Sequence, residues 1–373
     1  MAVVDCAVNH GWASPQELLD FLPASWREYI GEPGSLPGGG GARSLLMTSA
    51  YAPPGRAPAG SAFAHSLAPA VPDLETLCAD WLDPHDIELA LLVHGAARTT
   101  AACVNPHLAK ALVQAANDWT VERWLDADGS GRVCGALLVD EQVPAEAALE
   151  VQRVGGHPRM AAVLLGASGA GRPAGHPIWD PLYRAAAELD LPIVIHAGGD
   201  AVQDNATLPT AGGPPSTYAE LRALAAQGLM THLVSLICQG TFERHPGLRV
   251  LLAGGGFTWL PSIVWRIDTN YRALRVEAPW VKRPPSEYLR EHVRVVASPL
   301  DGPSDRVQVE RMAAAYPEFR ELVCFGSGFP GPDPVRPADL AAGVPEAWLE
   351  DLLSGNASAF LRTPRRAGTT PAR

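Results

Sequence analysis

Along the chain, short runs of apolar and β-branched residues alternate with longer segments whose apolar positions recur every three or four residues. That alternation is the signature of repeated strand–helix units and a parallel sheet. Eight runs predict strands: Ala2 to Val8, Ile87 to Val93, Val133 to Val139, Ala161 to Leu165, Pro192 to His196, Arg249 to Ala253, Val293 to Ala297 and Leu322 to Phe325. Helices are expected between them. One carries its start signal in plain view, with Asn105 as N-cap, Pro106 in the first turn, and Leu108, Leu112, Ala115 and Trp119 on one face. Eight strands with intervening helices predict an α/β fold, a (β/α)8 barrel of the TIM type.

One stretch breaks the rhythm. Residues 32–72 contain PGSLPGGGG, APPGRAPAG and LAPAVP, with neither a helical nor a strand period. They read as a long Gly/Pro-rich excursion after strand 1, either a surface loop or an arm over the barrel mouth or a neighbouring subunit. Residues 1–362 then form one domain, and 363–373, rich in Thr, Pro and Arg, a flexible tail.

Composition narrows the partners. With 373 residues, 47% of them hydrophobic, the chain can bury one large core, and its net charge of -11 argues against a nucleic-acid partner. The cysteines (Cys6, Cys78, Cys103, Cys134, Cys238, Cys324) show no CxxC spacing, and most lie in apolar runs, as buried free thiols of a reducing compartment do. The start, MAVVDCAV, has no charged leader, and no apolar run reaches the ~18 residues needed to span a bilayer. The expectation is a cytoplasmic protein with no membrane partner.

In such a barrel the chemistry sits at the C-terminal ends of the strands. Alternation on strand 1 sets Asp5, Ala7 and Asn9 on one side, with positions 7 and 9 turned to the barrel axis. Strand 5 ends at His196 in PIVIHAGG; strand 6 ends in LLAGGGFTWLP and strand 8 in CFGSGFPGPD, both placing glycine where a proton donor or carboxylate could stand. Trp12, Arg159, Trp179, Trp259 and Trp280 are candidates to line an apolar pocket for a small acidic or aromatic ligand. Most of them are equally explained by core packing. His10, Asp200, Asp204 and Asp333 follow strand ends and offer a shifted donor set with His196, although one step along a strand turns a side chain to the other face.

The phrases GHPIWDPLYRAAAELDLPIVIHAGG, LICQGTFERHPGLRVLLAGGGFTWLP and WRIDTNYRALRVEAPWVKRPPSEYLREHVR carry a resemblance that runs from VVDCAV to about Leu361. The chain resembles the amidohydrolase-2 family, the metal-dependent barrels that include aminocarboxymuconate-semialdehyde decarboxylase and resorcylate-type decarboxylases. Relatives use zinc or manganese. The resemblance places the family's strand 1 ligand pair on Ala7 and Asn9, its third ligand on His196, and its strand 6 acid/base position on Gly254. The aspartate and histidine of its strand 8 phrase fall on Gly328 and Gly331. Of these, His196 alone is kept, so the expectation is no metal and no cofactor, with His196 as the candidate catalytic group.

Three readings follow. The first is an amidohydrolase-fold pseudoenzyme acting as a binding or partner subunit, a homo- or hetero-oligomer with an amidohydrolase-family protein such as an active paralogue. The second is a metal-independent lyase, isomerase or cyclase on a small acidic or aromatic metabolite, and the third a metal-dependent hydrolase or decarboxylase with displaced ligands.

Overall fold

The computed structural model describes residues 2–12, 14–31, 70–95, 105–167, 171–197, 217–331 and 333–361. Eight strands form one sheet in the order β1 to β8, and each neighbouring pair is parallel. They are β1 (Val3–His10), β2 (Ile87–His94), β3 (Val133–Leu138), β4 (Met160–Gly166), β5 (Ile193–His196), β6 (Val250–Ala253), β7 (Val293–Val296) and β8 (Val323–Cys324). All eight expected strands are present. Their near-continuous burial on both faces explains why they read as apolar runs rather than as alternating ones.

The ring closes through the main chain just beyond β8. Cys6 N donates to Phe325 O at 3.0 Å, Gly328 N to Ala7 O at 2.8 Å and Asn9 N to Phe329 O at 2.7 Å. Asp5, wholly buried at this seam, holds it together: Ser327 N and Ala7 N donate to Oδ1, and Trp81 Nε1 to Oδ2 at 2.9 Å. Burial pushes its carboxyl above the usual aspartate range, against the lowering effect of those donors.

The strict alternation expected for β1 is interrupted. Asp5 pairs with Ala90 and Val8 with Leu92, so three steps on β1 match two on β2, a bulge that resets which face each later residue takes.

Helices wrap the sheet. The helix Pro106–Thr120 begins as expected, with the Asn105 side chain accepting from His107 N and Leu108 N, and it buries Leu108, Leu112, Ala115 and Trp119. The helix Ala226–Cys238 buries Leu229, His232, Leu233, Leu236 and Ile237 against the core. Together with the helix Tyr218–Leu224 before it, it gives one stretch among the described residues, Ala219–Cys238, that is long and apolar enough to cross a membrane by length and composition alone. Glu220 and Arg222 near its start hide that length in the sequence.

Cys6, Cys134 and Cys324 are buried free thiols as expected, whereas Cys238 is exposed at a helix end. Cys103, most of the Gly/Pro-rich excursion and the 363–373 tail lie outside the described residues. The excursion's end is placed, with Val71 beside β1: Val71 N donates to Asn9 O and Gly11 N to Val71 O.

Candidate functional site

Register brings the strand ends to one level. Gly166, His196 and Ala253 pair across β4, β5 and β6, so Gly254 leaves the sheet immediately beside His196. His196 is 7% exposed and its Nδ1 lies 2.5 Å from Ala197 O. A carbonyl only accepts, so Nδ1 carries the proton, and in the neutral ring the lone pair is on Nε2.

Gly254 completes this corner. Its φ is +83°, and a Cβ there would lie 2.4 Å from Ala197 O, 3.0 Å from His196 Cε1 and 3.1 Å from His196 Nδ1. No side chain fits this position as the backbone stands. Gly256, with φ +67°, is closed by Asp301, whose carboxylate would sit 2.4 Å from a Cβ. That carboxylate accepts from Phe257 N, Thr258 N and Thr258 Oγ1, fixing the chain as it enters the helix Leu260–Leu274.

At the β8 exit the pattern repeats. Gly328 has φ +67° and would place a Cβ 2.8 Å from Ser298 Oγ, while its carbonyl accepts from Asn9 Nδ2 at 3.2 Å. Gly331 would place one 2.6 Å from Gly328 O. Ala7 and Asn9 both lie against this exit; they bring one amide, already bonded to the main chain.

Of the shifted donor set, His10 and Asp333 are among the described residues. His10 turns away from this seam, Nδ1 3.2 Å from Val93 O and Nε2 3.0 Å from Thr120 Oγ1, and it packs against His94, Trp119 and Trp124. Burial lowers its pKa from 6.5 to about 3, so it is neutral. Asp333 is exposed, and Asp200 and Asp204 lie outside the described residues.

The candidate pocket residues are scattered. Trp12 joins the His10 cluster, its ring 4.9 Å from His94 and 5.8 Å from Trp119. Trp259 follows β6 and donates to Gly256 O. Trp280 lies over Gly240 and donates to Cys238 O. Arg159 precedes β4, at the end of the strand opposite the mouth, where it bonds Asp128 and Val133 O; it anchors a turn and is no mouth residue. Trp179 does line a cavity near the ends of β4 and β5, with Glu141, Arg172 and His232. Its volume of ≈ 10 Å³ is about the space of one water.

The family positions do not fit a transition metal. Such an ion needs three or more converging lone-pair donors, and the positions supply one imidazole and one amide. Among the described residues no group of three His, Cys, Asp or Glu side chains could hold an ion. Two groups escaped the sequence reading. Asp5 had a signal, a carboxylate inside an apolar strand, which burial makes expensive unless bonded. Asp301 had none, because it acts on a loop from a different strand.

Comparison with known proteins gives the ancestry. A family model described as Amidohydrolase matches residues 85–363. Gamma-resorcylate decarboxylase of Rhodococcus jostii (strain RHA1) is 30% identical over 128 residues, covering 33% of this chain and 36% of that protein, so the match spans about a third of each. Among solved structures, 5-carboxyvanillate decarboxylase from Sphingomonas paucimobilis superposes with TM-score 0.66 at 19% identity, covering 96% of this chain and 98% of that one. The 5-carboxyvanillate decarboxylase from Novosphingobium aromaticivorans DSM 12444, complexed with manganese, gives TM-score 0.64 at 16% identity, covering 96% and 95%.

Proposed function

The chain belongs to the Amidohydrolase family, and from that premise we propose that it is a metal-independent member whose barrel mouth binds a small ligand or a partner protein, without the metal-assisted chemistry of intact relatives. One observation carries this reading. At the family's acid/base position the main chain itself is built for glycine, with Gly254 at φ +83° and the His196 ring in the space a side chain would need. Loss of a side chain alone is undone by one substitution, whereas a backbone committed to glycine is not. Neutral residues at Ala7, Gly254 and Gly328 also avoid the penalty of unpaired carboxylates in a partly buried funnel.

The partner in this reading is a protein of the same family, intact at its metal site, with which the chain forms a hetero-oligomer. Where the chain acts alone, His196 is the one imidazole at the family's ligand and acid/base positions that can exchange a proton with a small organic acid.

A second reading is a metal-dependent decarboxylase, favoured by a different observation. His196 donates from Nδ1 to a carbonyl oxygen, the outer hydrogen bond that typically orients a metal-ligating histidine. Under this reading the remaining donors are residues other than Ala7, Gly254 and Gly328.

The two readings separate in one experiment. Protein purified without chelator, with and without added zinc or manganese, is measured by elemental mass spectrometry. It is then assayed for carbon dioxide release from 2,6-dihydroxybenzoate and 5-carboxyvanillate. The expected result is substoichiometric metal and no release. Near-stoichiometric metal that is lost in His196→Ala would overturn the proposal in favour of the decarboxylase.

A further inference from the structure

We propose that the end of the barrel opposite the mouth carries a docking face for a second copy of this chain, formed by residues 274–281 and the neighbouring flank of the helix Ala226–Cys238. This face stands apart from the reading above, since it makes no use of the mouth or of His196.

Chain direction places it. The helix Leu260–Leu274 leaves β6 at the mouth and runs back along the barrel, so residues 274–281 lie at the N-terminal ends of the strands. Successive main-chain bonds tie them into tight turns: Arg275 N donates to Tyr271 O, Glu277 N to Leu274 O, Ala278 N to Arg275 O and Val281 N to Ala278 O. From this braced segment Leu274, Val276 and Trp280 stand 48%, 80% and 47% exposed. Trp280 Nε1 donates to Cys238 O, which joins the segment to the helix Ala226–Cys238. On that helix Met230, Val234 and Cys238 recur every four residues and so share one flank, half-buried at the first two and exposed at the third. In the stretch Ala219–Cys238 an 18-residue window has mean hydropathy 1.4 and is 28% buried. An apolar face of this extent marks a site of association. Lipid is not its partner, because Leu229, Leu233 and Leu236 are wholly buried and His232 bonds to Ala174 N and Ala167 O, anchoring the helix to the barrel.

Charge identifies what covers it. Arg275 and Glu277 flank Val276, both are exposed, and neither makes an ion pair among the described residues. In a two-fold interface residue i of one copy meets residue j of the other, and j meets i. A two-fold axis at Val276 therefore sets Arg275 opposite Glu277 of the partner subunit and Glu277 opposite Arg275 of the partner subunit, with the apolar side chains between them. A partner of one charge sign would leave one of the two unpaired, whereas a second copy satisfies both.

The test is sedimentation equilibrium of the full-length chain up to about 100 µM, a range that reaches micromolar association. The expected wild type is a dimer. Val276→Glu, at a position 80% exposed and so neutral to the fold, should raise the dimer Kd by about 100-fold by placing two unpaired carboxylates at the axis. Arg275→Glu and Glu277→Arg should each raise it by roughly ten-fold, and the double variant should restore it, because the exchanged charges still meet opposite ones across the two-fold. Circular dichroism checks that each variant is folded. A monomeric wild type overturns the proposal, and so does a dimer that Val276→Glu leaves intact, which places the interface elsewhere. Single-charge losses that the double variant does not recover overturn the two-fold pairing and with it the choice of a second copy.

Discussion

Two sectors of the barrel mouth each hold a buried histidine, and they hold it by opposite means. At the β1–β2 side His10 is enclosed by rings, with centroids of His94, Trp124 and Trp119 at 4.4, 5.3 and 5.8 Å. At the β5–β6 side His196 lies against the Gly254 position and the Ala197 carbonyl. The first arrangement makes imidazole a core residue, satisfied by Val93 O and Thr120 and held neutral by burial. The second leaves a histidine whose position depends on backbone conformation, which is how a site is kept open without bulk.

If the β1–β2 sector is held by bulk, removing bulk there has the largest effect. Trp119 is 1% exposed and touches Trp12, His10, His94 and Trp124, so Trp119→Ala should destabilise the fold by about 3–5 kcal/mol, read as a lowered urea midpoint. A loss under about 1 kcal/mol would mean the cluster collapses to fill the space and that bulk is not what holds His10.

The β5–β6 sector should answer to a single methyl group. Gly254→Ala adds the penalty of a left-handed residue to a contact at 2.4 Å, together about 3 kcal/mol. Thermal unfolding measures it, and a neutral result would show that the loop relaxes freely.

The β1–β2 sector should also answer to acidification through His10. The His10 pKa falls from 6.5 in the unfolded chain to about 3 in the fold, so unfolding takes up a proton below pH 6.5. The stability present above pH 6.5 is lost as pH drops toward 3, by about 2 kcal/mol between pH 7 and 5 at ~1.4 kcal/mol per unit. Asp5 acts in the other sense, since a carboxyl raised by burial favours the fold on protonation. Comparing wild type with His10→Asn isolates the histidine; equal slopes in the two proteins would remove His10 as the source.

The sequence made one of these sectors legible and left the other closed. Apolar runs ending at His196 and Ala253 located β5 and β6 to within a residue, because strands buried on both faces must be apolar throughout. The glycines at 254, 256 and 328 were visible as letters, and the family resemblance marked 254 and 328 as lost side chains. Their left-handed φ and the atoms standing where a Cβ would go depend on Ala197, Asp301 and Ser298, which belong to other strands. Arg159 and Trp280 failed as mouth residues for the same reason, since distance from a strand end in sequence does not say which end of the barrel a side chain reaches. The bulge between Asp5 and Val8 was likewise silent, because a bulge is a property of a pair of strands.

The smallest effect sharpens the comparison most. Gly247 lies in the turn between the helix Thr241–Arg244 and β6, its φ is not left-handed, and a Cβ there meets nothing within 4 Å. With neither strain nor contact in the fold, Gly247→Ala acts on the unfolded chain alone, restricting it and raising stability by about 0.5 kcal/mol. The same chemical change seven residues later, at Gly254, carries the opposite sign. Calorimetry on the pair therefore tests whether glycine at the mouth is a consequence of lost side chains or a requirement of the backbone. If both substitutions stabilise, the glycines are only what remained after the donors were lost; if the signs differ as expected, the backbone around His196 requires glycine at 254.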